Sequence, residues 1–182
     1  MKLAEGLEAL RNNTIQNYIV PGLKSSLIGG EKFGKVRLFE AERPTDEFIT
    51  PHSHRFDFTC LVLVGQVINT LYTACGATRS PNALPWTASS VDQVCGEDGL
   101  RDYVHRRSHE PTWWERHDYY YGPGNVYGMK TNEIHSIKFS KGAKVLFFEG
   151  PELTKTGIML EPWVDGKLVP SFKTEEWMFQ KA

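Results

Sequence analysis

The sequence predicts an all-β domain, an antiparallel sandwich or barrel preceded by a single α-helix. From Leu23 onward, apolar residues recur with the strand period over many short stretches. Turn-forming breaks separate them at Gly29-Gly30, Pro44, Gly65, Gly122-Pro123-Gly124 and Lys141-Gly142. Helical spacing is confined to the N-terminus, where Leu3, Leu7 and Leu10 form a stripe with Glu5, Glu8 and Arg11 off it.

That stripe predicts an amphipathic helix from residue 3 to about residue 18, ended by Asn12-Asn13 or, a turn later, before Pro21-Gly22. Strands are predicted over residues 23–28, 35–41, 57–64, 66–72, 101–106, 113–121, 125–130, 135–139 and 144–149. Residues 73–100 carry Ser80, Pro81, Asn82, Pro85, Gly96 and Gly99 with little alternation, and read as a long inserted loop. The tail, residues 151–182, mixes Trp163, Phe172, Trp177 and Phe179 with turn residues and is expected to wrap over the barrel. At 182 residues the chain fits one domain: a helix in 1–20, a barrel in 33–150 and the C-terminal wrap.

Composition narrows the function classes. Lys and Arg number 21 against 22 Asp and Glu, a net charge of -1, so no basic field draws the chain to nucleic acid or anionic lipid. No apolar run approaches the ~20 residues of a membrane-spanning helix, and the first residues lack a secretory pattern. Cys60, Cys75 and Cys95 form an odd, unpatterned set, which suits a reducing cytoplasm better than a disulfide framework.

The strongest local signal is Thr50-Pro51-His52-Ser53-His54-Arg55-Phe56-Asp57-Phe58. Histidines two apart on an extended segment share one face of a sheet, and Pro51 favours an extended chain there. Inside a barrel, both imidazoles would converge on one point, as a metal ion requires. Taken alone, the pair fits two surface or hydrogen-bonded histidines better than a metal site.

With its context, the stretch resembles the first motif of the cupin superfamily, in which His-x-His is followed by a strand and a glycine. His52, His54 and Gly65 match it. The second motif is similar to Gly124-Asn125-Val126-Tyr127-Gly128-Met129 followed by Asn132-Glu133-Ile134-His135-Ser136-Ile137. The resemblance covers residues 33–150 and implies a double-stranded β-helix, or jelly roll. It also implies one divalent ion on His52, His54 and His135, with Fe(II) favoured and Zn, Ni or Mn as alternatives. Two departures stand out. The Pro-x-Gly before the last histidine is missing, and the position of the motif's glutamate holds Phe58. Asp57 is one residue away and on strict alternation faces outward, unless a bulge turns it in. A three-histidine site of the kind found in thiol dioxygenases is the reading that follows.

Around this centre, Asp57 is a candidate to orient an imidazole, Tyr121 to hold a substrate, and His105 to act as acid, base or substrate contact. His105, His109 and His117 fall in an expected hairpin over residues 102–121, where plain surface histidines are the alternative. The chain is thus expected to be a metal-dependent, dioxygenase-like enzyme acting on a small polar metabolite. The alternatives are a non-catalytic small-molecule binder and a protein with vestigial histidines. The strand Val145-Leu146-Phe147-Phe148 is apolar on both faces, which points to a homodimer or to cover by the N-terminal helix.

Overall fold

The computed structural model describes residues 14–29, 35–45, 49–76, 80–95, 101–108, 110–164 and 167–168. Among these the regular structure is entirely strand. In chain order the strands are β1 (Thr14–Ile15), β2 (Leu23–Gly29), β3 (Lys35–Ala41), β4 (Phe56–Val64), β5 (Val67–Ala74), β6 (Leu84–Cys95) and β7 (Arg101–Arg107). They continue with β8 (Thr112–Tyr121), β9 (Val126–Met129), β10 (Ile134–Phe139), β11 (Lys144–Glu152), β12 (Thr156–Val164) and β13 (Lys167–Leu168).

Two antiparallel sheets result. The first runs β1-β2-β3-β11-β4-β9 and the second β10-β5-β8-β6-β12-β13, with β7 also on β6. The backbone of His52 pairs with His135 on β10, so residue 52 extends the second sheet beyond β10. The chain therefore moves between sheets in the order β3, His52, β4, β5, β8, β9, β10, β11, giving neighbours β3-β11-β4-β9 and His52-β10-β5-β8. This is the strand order of a double-stranded β-helix, the fold expected from the sequence. Period-two alternation turns Phe58, Cys60, Val62, Val67, Phe139, Val145 and Phe147 into the space between the sheets, where they form the main core.

Residue 52 is bridged a second time, to Met159 on β12. The second sheet's pairings consequently close on themselves, from β10 through β5, β8, β6 and β12 back to residue 52. Inside this circuit lies a smaller core of Tyr72, Trp86, Ile134 and Leu160, with Ala88, Trp114 and Ile158 against it. Two cores thus sit on opposite faces of β5, β10 and the segment at residue 52.

Three expectations are corrected. Residues 84–95, read as part of a loop, form the longest strand. Their alternation was hidden because two of the buried positions on the face that ends at Val91 are Thr87 and Ser89 rather than apolar residues. Ser89 donates to the carboxylate of Glu161, itself 1% exposed and held at 3.1 Å by the Arg107 guanidinium. The hairpin expected over residues 102–121 is absent, because β7 and β8 each pair with β6 rather than with one another. In the tail, β12 completes the second sheet; residues 169–182 lie outside the described residues. Residues 1–13 of the expected helix also lie outside them, and Thr14–Ile15 is a strand on β2 rather than a helical turn. Among the described residues no helix is long and apolar enough to cross a membrane.

The turn between β4 and β5 depends on Gly65, whose φ is +74°. A Cβ there would stand 2.8 Å from Ala143 Cα and 2.8 Å from Ser140 Oγ. Gly65→Ala is expected to cost about 2 kcal/mol or more, from left-handed strain and overpacking together. Urea unfolding measures it, and a loss below about 0.5 kcal/mol would contradict the geometry.

Candidate metal centre

His52 and His135 face one another across an antiparallel bridge, each donating its backbone N–H to the other's carbonyl at 2.9 and 3.0 Å. Directly opposed residues project their side chains to the same face of a sheet. His54, two residues on, returns to that face. The three imidazole centroids consequently lie 4.8, 5.2 and 5.1 Å apart, and one ligand nitrogen from each falls within 4.8 Å of the others. These residues could hold a metal ion, and all three metal positions expected from the sequence are brought together.

Hydrogen bonds fix how the rings present themselves. His135 Nδ1 lies 2.6 Å from Asn69 Oδ1, and His52 Nδ1 lies 2.8 Å from the Thr50 carbonyl. Both partners are acceptors, so each Nδ1 carries the proton and each Nε2 keeps a lone pair. His54 Nε2 stands 3.0 Å from His135 Nε2. Two imidazole lone pairs at that distance repel, so one ring must donate to the other or a cation must sit between them. The donor set therefore fits a divalent ion, with positions left open toward the cavity.

Burial sets the charge of the cluster. It pushes the pKa of His52 down, and those of His54 and His135 far down, with repulsion from neighbouring imidazoles adding to the effect. At neutral pH the rings are therefore uncharged, the form that binds metal. Phe58 occupies the place of a carboxylate ligand, its ring edge-on to His54 at 4.6 Å and 5.4 Å from His135. Among the described residues, no carboxylate joins the group. Phe56, Phe58 and Phe147 wall a cavity of about 100 Å³ that Tyr18, Arg37 and Glu149 also line.

The remaining candidates sit elsewhere. Asp57 points away from the imidazoles: its oxygens accept from Lys130 Nζ at 2.8 Å and from the Thr131 backbone and hydroxyl at 2.9 and 2.8 Å. These bonds fasten the turn between β9 and β10, and alternation along β4 is the reason for the outward direction. Tyr121 is not among the residues lining the cavity; its ring stacks on that of Tyr127 at 4.4 Å. His105 is placed opposite Val91 by its backbone, and its side chain lies outside the described residues. His117 pairs with Glu115 at 3.6 Å on the surface.

Two residues that the sequence reading passed over belong to the site. Asn69 orients His135 from β5, and Tyr127 lines the cavity from β9. The available signal for Asn69 was an amide between Val67 and Leu71 on one strand face, a polar group where alternation demands an apolar one.

No protein-family model matches the chain, and no curated protein matches it. Solved structures do. The chain is similar to hydroquinone 1,2-dioxygenase from Sphingomonas sp. TTNP3 with 4-hydroxybenzoate bound, at 13% identity over 69% of this chain and 64% of that one, with a TM-score of 0.40. It is similar to the cupin domain of Drosophila melanogaster CENP-C at 10% identity over 72% and 71%, with a TM-score of 0.37. A cupin superfamily protein of Desulfitobacterium hafniense matches at 13% identity over 76% of each chain, with a TM-score of 0.33. The chain spans 62% and 64% of the two hydroquinone dioxygenase chains it matches. The fold itself rests on the strand pairing described above.

Asn69→Ala is expected to lower metal affinity about 10- to 100-fold by releasing the His135 ring; competition with a chelator measures it, and unchanged affinity would contradict the assigned role. The Asp57 contacts have their own signature. Hydrogen bonds from Lys130 and Thr131 lower its pKa from 3.8 to about 2. A depressed carboxylate stabilises the fold above its ordinary pKa and loses that contribution as pH falls through the folded value. Asp57→Asn should therefore reduce stability at neutral pH and flatten its decline between pH 3.8 and about 2. Unfolding curves of equal slope with pH for both proteins would disprove it.

Proposed function

We propose that this chain is a metal-binding cupin enzyme that acts on a small polar metabolite, with His52, His54 and His135 holding one divalent ion. The carrying observation is the meeting of three neutral, oriented imidazole nitrogens within 4.8 Å at the floor of an apolar cavity. Fe(II) is the favoured ion for this reading, and when bound it would supply redox chemistry with O₂, whereas Zn, Ni or Mn would supply Lewis-acid polarisation.

The chain's own residues contribute position and environment. The Thr50 carbonyl and Asn69 hold the His52 and His135 rings with Nε2 toward the centre. Phe56, Phe58 and Phe147 exclude water and lower the local dielectric, which strengthens every charge interaction inside. Arg37 and Glu149 stand among the lining residues and give the cavity charged groups. A homodimer joined through the outer face of the first sheet belongs to the same reading, supported by exposed Leu63, Val126 and Phe148.

A second reading, a non-catalytic binder, is favoured by one observation. Burial pushes the Cys60 thiol up to about 12 and the Tyr127 phenol well above its ordinary value, so neither serves as a base at neutral pH. Substrate-dependent O₂ uptake by anaerobically purified, iron-loaded protein supports the enzyme, and tight retention of an unchanged metabolite supports the binder.

Metal analysis of freshly purified protein tests the shared premise. Wild type is expected to carry close to one ion per chain, and His54→Ala to lose most of it while keeping its β-sheet circular dichroism. Equal metal content in both proteins, or none in wild type after reloading, would end the proposal.

A further inference from the structure

One polar group in the cavity lacks a nitrogen or oxygen partner within the fold. Tyr127 is 6% exposed and lines the cavity, yet its hydroxyl has only the Cys60 thiol beside it. Buried phenols ordinarily find a partner, because leaving one unsatisfied costs about 1–3 kcal/mol. The residue directly across the ladder is Cys60, whose thiol is a weak acceptor at best. Stacking of the Tyr121 ring at 4.4 Å keeps the Tyr127 ring in place. Burial and the neighbouring thiol hold the phenol protonated, so what it offers a ligand is a donor.

Position and charge extend the observation. Met129, two residues beyond Tyr127 on β9, pairs with Phe58, the ring lying against His54 and His135. Two residues of strand span roughly 7 Å, so a molecule of a few atoms can reach from the imidazoles to Tyr127. Three neutral imidazoles leave the two positive charges of a bound ion uncompensated, and Phe58 replaces the carboxylate that would have offset one. Among the lining residues, Glu149 is paired with Lys35 at 3.6 Å while Arg37 also lines the cavity, so that these three groups carry one net positive charge. The walls are otherwise apolar. At about 100 Å³, the cavity is smaller than the ~150 Å³ void that accepts benzene.

We infer that the cavity takes a small monoanion with a compact apolar body, of the carboxylate class, and that Tyr127 is the specificity-determining residue that donates a hydrogen bond to it. The inference rests on the metal reading above. The anion offsets the charge at the histidine cluster, supplies the acceptor that the Tyr127 hydroxyl lacks, and buries its carbon body among the phenylalanines. A neutral isostere loses the first of these, and a cation is repelled.

The test uses the full chain loaded with Co(II), whose visible bands report both binding and changes in coordination. Isobutyrate is titrated against its neutral isostere isobutyramide, in wild type and Tyr127→Phe. Isobutyrate is expected to shift the bands saturably and to bind at least tenfold tighter than the amide. Tyr127→Phe is expected to weaken isobutyrate about tenfold or more, as for a lost hydrogen bond to a charged group. The same variant should keep wild-type Co(II) affinity and a Tm equal to or above wild type, since the hydroxyl has at most a weak thiol contact to lose. Equal isobutyrate affinity in the two proteins, or equal affinity for acid and amide, overturns the inference. A lowered Tm with unchanged isobutyrate affinity does so as well, by assigning the hydroxyl a structural role. Absence of Co(II) bands in wild type is a different failure: it removes the metal reading first, and the anion with it.

Discussion

The site exists because the backbones of His52 and His135 exchange two hydrogen bonds. Without that bridge, residues more than eighty positions apart would have no reason to present their rings to one point. With it, alternation places His54 on the same face, and the ring spacing follows from sheet geometry. The tautomer of His135 is set on its other side, by the pairing of β10 with β5, where Asn69 accepts its Nδ1 proton.

The same short segment carries more than the histidines. Its backbone reaches β10 on one side and β12 on the other, so it closes the second sheet while supplying the floor of the first cavity. Leu160 N–H donates to the Pro51 carbonyl and Ser53 N–H to the Ile158 carbonyl, both at 2.8 Å. The smaller core of Trp86, Tyr72 and Leu160 backs this segment on the face away from the imidazoles. Buried Glu161 has an equivalent place in the added strands, joined to Arg107 and Ser89, so that β6 and β12 register on a polar pair as well as on apolar packing.

Much of the architecture was legible where residues alternate in an ordinary way. The strands from residue 35 to 41 and from 57 to 72, and the late strands at 126–152, announce themselves by apolar periodicity and glycine turns. So did the histidines, since His-x-His before an apolar strand ending at Gly65 has few structural explanations in a barrel. Strand β6 stayed hidden because two of the inward residues before Val91 are Thr87 and Ser89, which break the hydrophobic pattern, Ser89 by bonding a buried acid. The partner that makes such residues intelligible, Glu161, is 72 positions from Ser89 and visible only in three dimensions. Tyr121 illustrates the opposite error: three consecutive tyrosines invite a role at the site, yet alternation and stacking set Tyr121 behind Tyr127. Tyr127 lay within the matched second motif, but nothing in one dimension showed that its hydroxyl would be left without a nitrogen or oxygen partner.

X-ray absorption at the metal edge of Zn- or Co-loaded protein addresses the centre most directly. The account predicts three imidazole nitrogens at about 2.0–2.1 Å with the remaining coordination filled by light atoms. A spectrum that requires a sulfur ligand, or fewer than three imidazoles, would contradict it.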